Sequence, residues 1–483
     1  VALTQQQQLV VDTIKKDDVH MLTVQACAGA GKTHTLVELV RALNPSSGIY
    51  LAYNKSVSEE AAAKFKGTNI KCSTIHSLAY NAVVRQYQLS VGYFGVRNVR
   101  PSSTPYRLKM EVVNTLDRFC LSKHLSVTTF FDEEHINPVL LPLVKEHLEL
   151  MSQGDIQCSH SFYLKLYHIY LATGAIEVPE VDLLLVDECG DLSELTIDVF
   201  RLLKAKKKIA VGDPMQNIYS FNHTVNAFNV LTEGAAVNLT ESFRVSDRIA
   251  YRIETFVRDS LDPSFEFLGR VYDDDVITTK AFISRGNTAL LSEMLGLMKA
   301  GIPFHSTRKI GAMLELPLIL ANLGNGVPIE GFQYKHLEKL RKEYEEHEAI
   351  RDNYNSIQRY VEANVKEDKE VHNAFRLVHN HGPRSLNELT RYATECSKKA
   401  CTLTLTTAHS SKGLEFSSVT IADDLNESVN EALGDLARLK EGSYRYESVL
   451  NKLEEELRLY YVATSRAMVE LNNATALPDG DTL

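Results

Sequence analysis

The sequence predicts an α/β protein built from two parallel-sheet domains, each interrupted by a mostly helical insertion. Three observations carry that expectation. Short apolar strands alternate with amphipathic helices from the start of the chain, as in a doubly wound sheet. The alternation breaks off and returns, and does so a second time further on. The 483 residues also exceed what one hydrophobic core organises.

Met21–Val24 is a short apolar strand, Ala26–Gly31 a loop of small residues, and Thr33–Leu43 a helix with Leu36, Val37, Leu39 and Val40 on one apolar side. Gly48–Tyr53 is a second strand, and Val57, Ala61 and Phe65, spaced four apart, mark the next helix. Val181–Val186, almost wholly apolar, and Lys208–Val211 are two further strands. A second alternating block starts near Glu241 and resumes at Cys401–Ala422. The expected first sheet domain is 1–85 and 170–240, with the helical insertion 86–169. The second is 241–310 and 400–483, with the insertion 311–399. This second insertion opens with the loop Leu323–Pro328 and continues as a charged helical stretch over 333–379. Lys204–Lys208 is expected as a solvated helix end. Residues 335–348 are expected as a solvent-facing helix with i, i+4 charge pairs, or alternatively as a contact for a nucleic-acid duplex or a protein.

Composition narrows the class. Hydrophobic residues make up 44% and charged residues 24%, as in an ordinary soluble globular protein. No apolar run is long enough to cross a membrane, and Val1–Gln5 does not look like the start of a secretory signal. Seven cysteines, an odd number without a C-x-x-C pair, argue against a disulfide framework or a zinc site and for a reducing compartment. The expected setting is intracellular, cytoplasmic in a bacterial or phage-type host rather than nuclear. A net charge of −10 argues against a general nucleic-acid coat protein, but leaves room for a track lined locally by Lys and Arg.

Ala26-Cys27-Ala28-Gly29-Ala30-Gly31-Lys32-Thr33 matches a phosphate-binding loop with Ala in the place of the first Gly. Small residues there let backbone N–H groups approach phosphates. Lys32 would neutralise the β- and γ-phosphates, Thr33 would offer its hydroxyl to Mg²⁺, and the following helix would point its N-terminus at the anion. The bland alternative is a Gly/Ala-rich turn ahead of Lys-Thr, but a strand precedes and a helix follows. Val186 ends an apolar strand that runs into Asp187-Glu188. In such sheets the carboxyl end of a strand borders the ligand crevice. Asp187 can then hold Mg²⁺ through water, and Glu188 can orient and deprotonate an attacking water. Alone, that pair would as readily be a surface turn. Gly212-Asp213-Pro214-Met215-Gln216 follows another strand, a β-turn that sets Gln216 to report the γ-phosphate.

Further segments complete a series: Leu3–Gln7, Asn54-Lys55, Thr74–Ser77, Asp187–Asp191, Gly212–Phe221, Leu239–Arg244, Ser284–Asn287, Thr407–Phe416 and Tyr460–Ala467. In this order, from Gln7 to Arg466, the chain resembles the UvrD/Rep-like DNA helicases of superfamily 1. Within them it looks most like the helicase part of the F-box DNA helicases, and Tyr163–Leu166 adds to that likeness. No F-box stands before residue 1 in this sequence, so a ubiquitin-ligase role is not implied.

The resemblance implies two RecA-like motor domains, ATP and Mg²⁺ as cofactors, and 3′-to-5′ movement on single-stranded DNA or its junctions with duplex. It implies service in recombination, repair or replication. It puts Gln7 on the adenine, and Ala28, Gly29, Ala30, Gly31, Lys32, Thr33 and His34 around the phosphates. Arg244 and Arg466 would reach the γ-phosphate from the second motor domain, and Glu415 would sit near the ribose and γ-phosphate. Asn54, Lys55, Thr74, His76, Arg285, Asn287, Thr407 and His409 become DNA contacts, with Tyr53, Tyr219 and Phe221 as aromatic contacts. Core packing is the alternative for Tyr53 and Phe221. The chain is expected to be a monomer in isolation, with a protein partner, if any, reached through an insertion.

Two departures from the family pattern bear on mechanism. Gly190 stands where the family has Gln, removing an amide that connects the acidic motif to its neighbours. Asn222-His223 replaces an Arg-Gly pair. Two alternatives therefore stand beside the motor: a DNA-binding scaffold that keeps the motor fold, and an RNA-directed motor of the same superfamily.

Overall fold

The computed structural model describes residues 2–52, 54–218, 226–271, 276–324, 369–440 and 446–478. Tyr53, Tyr219, Phe221, Asn222 and His223 lie outside the described residues, as do the stretch 335–348 and most of the expected loop at 323–328. The chain forms two compact units, Val1–Phe243 and Arg244–Leu483.

The first unit opens with α1 (Gln5–Lys15), capped by Thr4, whose hydroxyl accepts from the Gln7 N–H while the Gln7 amide accepts from the Thr4 N–H. This reciprocal box satisfies two donors that a helix start otherwise leaves without partners. Then come β1 (Met21–Ala26), α2 (Lys32–Leu43), β2 (Gly48–Ala52), α3 (Lys55–Lys64) and β3 (Ile70–Thr74). A helical segment follows: α4 (Ile75–Ala79), a π-helical turn (Tyr80–Val84) and α5 (Arg85–Tyr87). The insertion continues with α6 (Tyr106–Leu121), α7 (Val127–Glu133), α8 (Leu141–Gln153) and α9 (His160–Thr173). The chain returns through β4 (Val181–Val186), α10 (Glu194–Leu202), β5 (Ala205–Gly212), α11 (Ala227–Val230) and β6 (Ala235–Leu239).

Six strands pair in parallel in the order β3-β2-β4-β5-β1-β6. β4 is buried from Leu183 to Val186, which is why it shows an unbroken apolar run rather than an alternation. Phe119, Phe130, Val144, Phe162 and Tyr167 of the insertion share one core with Leu184 and Val186 of the sheet. The insertion thus packs on the sheet instead of folding around a core of its own.

One expectation is overturned here. Lys204–Lys208 is no helix end, because α10 stops at Leu202 and Ala205–Lys208 opens β5. The lysines suit a strand because their long stems carry the ammonium groups outward. Lys206 pairs with Asp182 at 2.7 Å, and Lys207 donates to the carbonyls of Lys16 and Val19 at 2.6 and 2.7 Å. Two strands, β3 and β6, carry little apolar signal. β3 is a half-exposed edge with the sequence Ile-Lys-Cys-Ser-Thr, and β6 buries only Val237 and Leu239.

The second unit begins inside β7 (Glu241–Ser246), which pairs with β8 (Leu268–Val271) across α12 (Asp247–Ser260). It continues with β9 (Lys280–Ser284), α13 (Asn287–Ala300), β10 (His305–Ser306), α14 (Ile310–Gly324) and α15 (Lys369–Cys396), the last broken at Gly382. β11 (Leu403–Thr407), β12 (Phe416–Ile421), α16 (Asp423–Leu436), α17 (Tyr446–Thr464) and β13 (Ala467–Asn472) complete it. Its five strands are also parallel, in the order β10-β11-β9-β12-β13. Leu290, Met294, Leu314, Leu377, Leu389 and Leu405 form one cluster that ties the helices of the second insertion to the sheet. Among the described residues, no helix is long and apolar enough to cross a membrane.

Candidate nucleotide and nucleic-acid site

β5 lies between β4 and β1, so the loops leaving the carboxyl ends of these three strands are neighbours. The loop after β1 is held from outside by its carbonyls. Ala28 O accepts from Ser242 Oγ at 2.7 Å, Gly29 O from the Phe243 N–H at 2.9 Å, and Ala30 O from Gln7 Nε2 at 3.3 Å. A trans peptide sets its N–H opposite its carbonyl. Bonding these carbonyls away from the loop leaves the N–H groups of Gly29 and Gly31 on the opposite side, as an anion cradle needs, while the Ala30 N–H donates to Cys27 O at 3.2 Å. Gly29 and Gly31 take φ of 76° and 73°, which glycine adopts without strain. A Cβ at Gly31 would stand 2.9 Å from Gln7 Nε2, so Gln7 fills the space beside that glycine.

The supports Gln7, Ser242 and Phe243 come from both ends of the first unit. Gln7 was expected on the adenine, and its amide here also holds the Ala30 carbonyl. Ser242 and Phe243 were not assigned roles by sequence, and neither was Gln6, whose amide binds Thr240 through two hydrogen bonds of 2.9 and 2.8 Å. A separation of more than 200 residues leaves no local signal, although all three lie in or beside the segments that carry the family resemblance.

Lys32 begins α2, and its Nζ lies 3.1 Å from Glu188 Oε1. Burial works to lower the Lys32 pKa, but Glu188, Asp213 and Asp187 outweigh it and hold it above the ordinary lysine value. Thr33 follows in the first turn of α2. His34 keeps a buried Nε2 without a hydrogen-bond partner among the described residues. At the end of β4, Asp187 is buried. Its Oδ2 accepts from Tyr50 OH at 2.7 Å, and its Oδ1 accepts from the Glu188 N–H at 2.8 Å. Burial first and Glu188 second raise the Asp187 pKa, opposed by Lys32 and Tyr50. Glu188 sits in the left-handed region at φ 52°, a conformation that is strained for a side-chain-bearing residue and recurs at functional sites. Tyr50 had no expected role. Its signal was a tyrosine inside an apolar strand next to β4, where a buried hydroxyl must find a partner.

Asp213, at the end of β5, accepts from the Met215 N–H at 2.9 Å and from Gln216 Nε2 at 2.7 Å. The link from this turn to the acidic motif is main chain against main chain. A Cβ at Gly190 would meet the Asp213 carbonyl oxygen at 2.9 Å, and one at Gly212 would meet the Cys189 nitrogen at 2.9 Å. Gly190 therefore does more than omit an amide: it lets the two turns close on each other.

The oxygen-bearing set of Thr33 and Asp187 suits a hard divalent cation such as Mg²⁺. The loop and Lys32 suit a polyphosphate.

The expected DNA contacts of the first unit are spread along its sheet edge. Asn54 caps α3, with its Oδ1 accepting from the Val57 N–H at 2.9 Å, and Lys55 is exposed beside Glu59 at 3.8 Å. Thr74 caps α4, its Oγ1 accepting from the Ser77 N–H at 3.1 Å. His76 is exposed and stands edge-on to Tyr163 and His160 of the insertion, with centroids 5.8 and 6.3 Å apart.

In the second unit the three arginines assigned roles by sequence each have protein partners. Arg244 Nε pairs with Glu415 Oε2 at 3.0 Å. Arg466 is 1% exposed, and it donates to Val462 O at 2.8 Å, Leu414 O at 3.3 Å and Ser465 Oγ at 3.0 Å. Arg285, expected on DNA, is held by Glu456 through bonds of 2.8 and 2.5 Å. Burial works to raise the Glu456 pKa, but Arg285 and Ser428 outweigh it and hold it below the ordinary glutamate value. Asn287 accepts from Arg308 at 3.0 Å. Thr407 closes the turn at His409–Ser411 through Ser410 at 3.1 Å, and His409 is half-buried there.

A lysine leading a helix out of a main-chain-tied loop, opposite carboxylates from a parallel strand of the same sheet, defines a phosphate-loop nucleotide-binding protein. Comparison narrows that class. Residues 6–222 match the model of an AAA domain, and residues 204–474 match the UvrD-like helicase C-terminal domain. The chain belongs to the UvrD-like helicase family. It is 25% identical over 97% of its length to the F-box DNA helicase protein 1 of Schizosaccharomyces pombe, covering 57% of that protein. It is 26% identical over 97% of its length to the F-box DNA helicase 1 of Gallus gallus, covering 48% of it. The chain thus spans about half the length of these curated relatives.

Proposed function

We propose that this chain is an ATP- and Mg²⁺-dependent motor that translocates on single-stranded DNA and unwinds duplex at junctions, moving 3′ to 5′. The service is DNA recombination, repair or replication. The observation that carries this reading is the Lys32–Glu188 contact of 3.1 Å beside buried Asp187, at the carboxyl ends of strands of one parallel sheet. In it, Lys32 and the loop N–H groups of residues 28–33 bind the phosphates. Thr33 and Asp187 would hold Mg²⁺, which would supply positive charge beside the phosphates. Glu188, drawn to Lys32 in this state, orients and deprotonates the attacking water, and Gln216 reports the γ-phosphate to its surroundings. Both relatives are named as DNA helicases, which supports DNA over RNA as the substrate.

The test is hydrolysis measured with and without single-stranded DNA, for the wild type and Lys32→Ala. DNA-stimulated hydrolysis that Lys32→Ala abolishes is expected, and a wild type whose hydrolysis ignores DNA would sink the motor reading. Unwinding of 3′-tailed against 5′-tailed duplexes then tests polarity, with the 3′-tailed substrate expected to open.

A further inference from the structure

The chain carries a net charge of −10, yet residues 61–110 hold no Asp or Glu and eight Lys and Arg. Residues 156–176, which contain α9, are also free of Asp and Glu. The fold brings these two segments together. The helical segment Ile75–Tyr87 lies along α9, and rings meet at three levels. His76 stands against His160 and Tyr163, Tyr80 against Tyr163 at 5.9 Å, and Tyr87 against Tyr170 at 5.6 Å. Tyr163 is buried and braces the face from behind, whereas His76, His160, Tyr80 (39%) and Tyr87 (47%) are exposed. Arg85 lies over the Tyr80 ring at 6.0 Å.

Together these exposed rings form one row. The row also spans the π-helical turn Tyr80–Val84, and such turns occur frequently at functional sites. From His76 to Tyr87 the row extends about 16 Å at 1.5 Å per residue. A row of aromatic rings carried by two segments without Asp or Glu, with Arg85 among the rings, matches the chemistry of a single-stranded polynucleotide. Bases stack on such rings and a phosphate meets such a cation, with no sequence preference required.

We infer that this face is a base-stacking lane for single-stranded DNA, running from His76 onto the first insertion. Tyr80, Tyr87 and His160 stack with bases, and Arg85 meets the backbone. The inference rests on the DNA-motor reading and extends it to residues outside the segments that carry the family resemblance.

The test uses the full chain and a fluorescein-labelled oligo(dT) followed by anisotropy. Tyr80→Ala and Tyr87→Ala are each expected to weaken binding by about 5-fold or more, since stacking on one ring is worth roughly 1–3 kcal/mol. Tyr80→Phe, which keeps the ring, retains wild-type affinity. Hydrolysis in the absence of DNA is unchanged in all three, which also shows that they fold. Photocrosslinking to an oligonucleotide carrying 5-iododeoxyuridine is expected to label peptides within 75–87 or 156–176. If the wild type binds oligo(dT) while both alanine variants bind equally well and adducts fall elsewhere, the lane is overturned and the motor reading stands; the face then serves another partner, such as a protein. If the wild type does not bind oligo(dT) at all, the motor reading itself fails, and the lane with it.

Discussion

The hydroxyl of Tyr50 donates to the carboxylate of Asp187 at 2.7 Å, joining β2 to the acidic end of its neighbour β4 inside the sheet. Both groups are buried, and each shifts the other. Burial first and Asp187 second push the tyrosine hydroxyl far above its ordinary pKa, so it stays a donor. That donor favours the ionised form of Asp187, against the burial and the Glu188 charge that favour the protonated form. A metal-binding role for Asp187 needs the ionised form.

Tyr50→Phe removes this donor and little else. With it gone, the Asp187 pKa rises further, so a protonated fraction persists to higher pH. The acid limb of the pH profile of kcat/KM for ATP hydrolysis is expected to move upward, and folding stability to fall by about 1–3 kcal/mol, the cost of losing a hydrogen bond to a charged group. A profile that superimposes on that of the wild type would show that Tyr50 only packs.

Lys32 and Glu188 can be separated by a double-mutant cycle. Lys32→Met leaves Glu188 and buried Asp187 facing each other without their cation, and Glu188→Gln removes one of those charges. Breaking a buried ion pair from one side costs about 3–5 kcal/mol. Glu188 retains 30% side-chain exposure, so roughly 2 kcal/mol is expected here. The double variant should recover part of the stability that Lys32→Met loses, with hydrolysis absent from both. Urea unfolding of the four proteins reads the coupling, and simple additivity would mean the 3.1 Å contact contributes nothing.

The parts legible in the sequence are those written locally. The loop before Lys32, the apolar run that ends in Asp187, and the turn at Gly212–Gln216 each carry their chemistry within a few residues of a strand end. The two parallel sheets follow from the same alternation. The remainder depends on distance along the chain. Ser242 and Phe243 tie down a loop more than 200 residues earlier, and nothing near either residue announces it. Lys204–Lys208 reads as a solvated helix end, yet Ala205–Lys208 opens β5. Arg285 resembles a DNA contact by its segment, and its segment gives no sign of its partner Glu456, 171 residues later.

Gly190 gives the third prediction. The family has Gln at this position, so restoring it by Gly190→Gln looks like a repair. The structure argues the opposite, because any Cβ there lies 2.9 Å from the Asp213 carbonyl oxygen, a main-chain atom that cannot swing aside. Gly190→Ala is expected to cost about 1–3 kcal/mol by overpacking, and Gly190→Gln at least as much. Asp213 holds Gln216 at 2.7 Å, so the displaced turn carries the amide with it. A displacement of about 1 Å can cost 100-fold in rate, so kcat should fall by roughly 10- to 100-fold while KM for ATP changes less. A Gly190→Gln protein with wild-type stability and undiminished turnover would overturn this account.

The last prediction concerns pH and a lysine far from the nucleotide site. Lys165, on α9, is 1% exposed, with its Nζ 4.5 Å from the Phe119 ring centroid, donating to Ser122 O at 2.8 Å and to His124 O. Burial lowers its pKa to about 8, with Cys120 and Asp198 acting weakly the other way. The folded chain therefore releases this proton near pH 8, whereas the unfolded chain keeps it to about 10.4. Below pH 8 both states hold the proton, and the cost of burying the charge is fully present. Between about 8 and 10.4 the unfolded state binds more protons, so stability rises with pH, at most by about 1.4 kcal/mol per unit. Lys165→Met keeps an unbranched stem in the same space and removes the titration. Other groups titrate in this range too, so the measurement is the difference between wild type and variant in urea unfolding at pH 7.5, 8.5 and 9.5. The wild type should gain on the variant at each step, and parallel pH dependences would mean that Lys165 titrates at its ordinary value despite its burial.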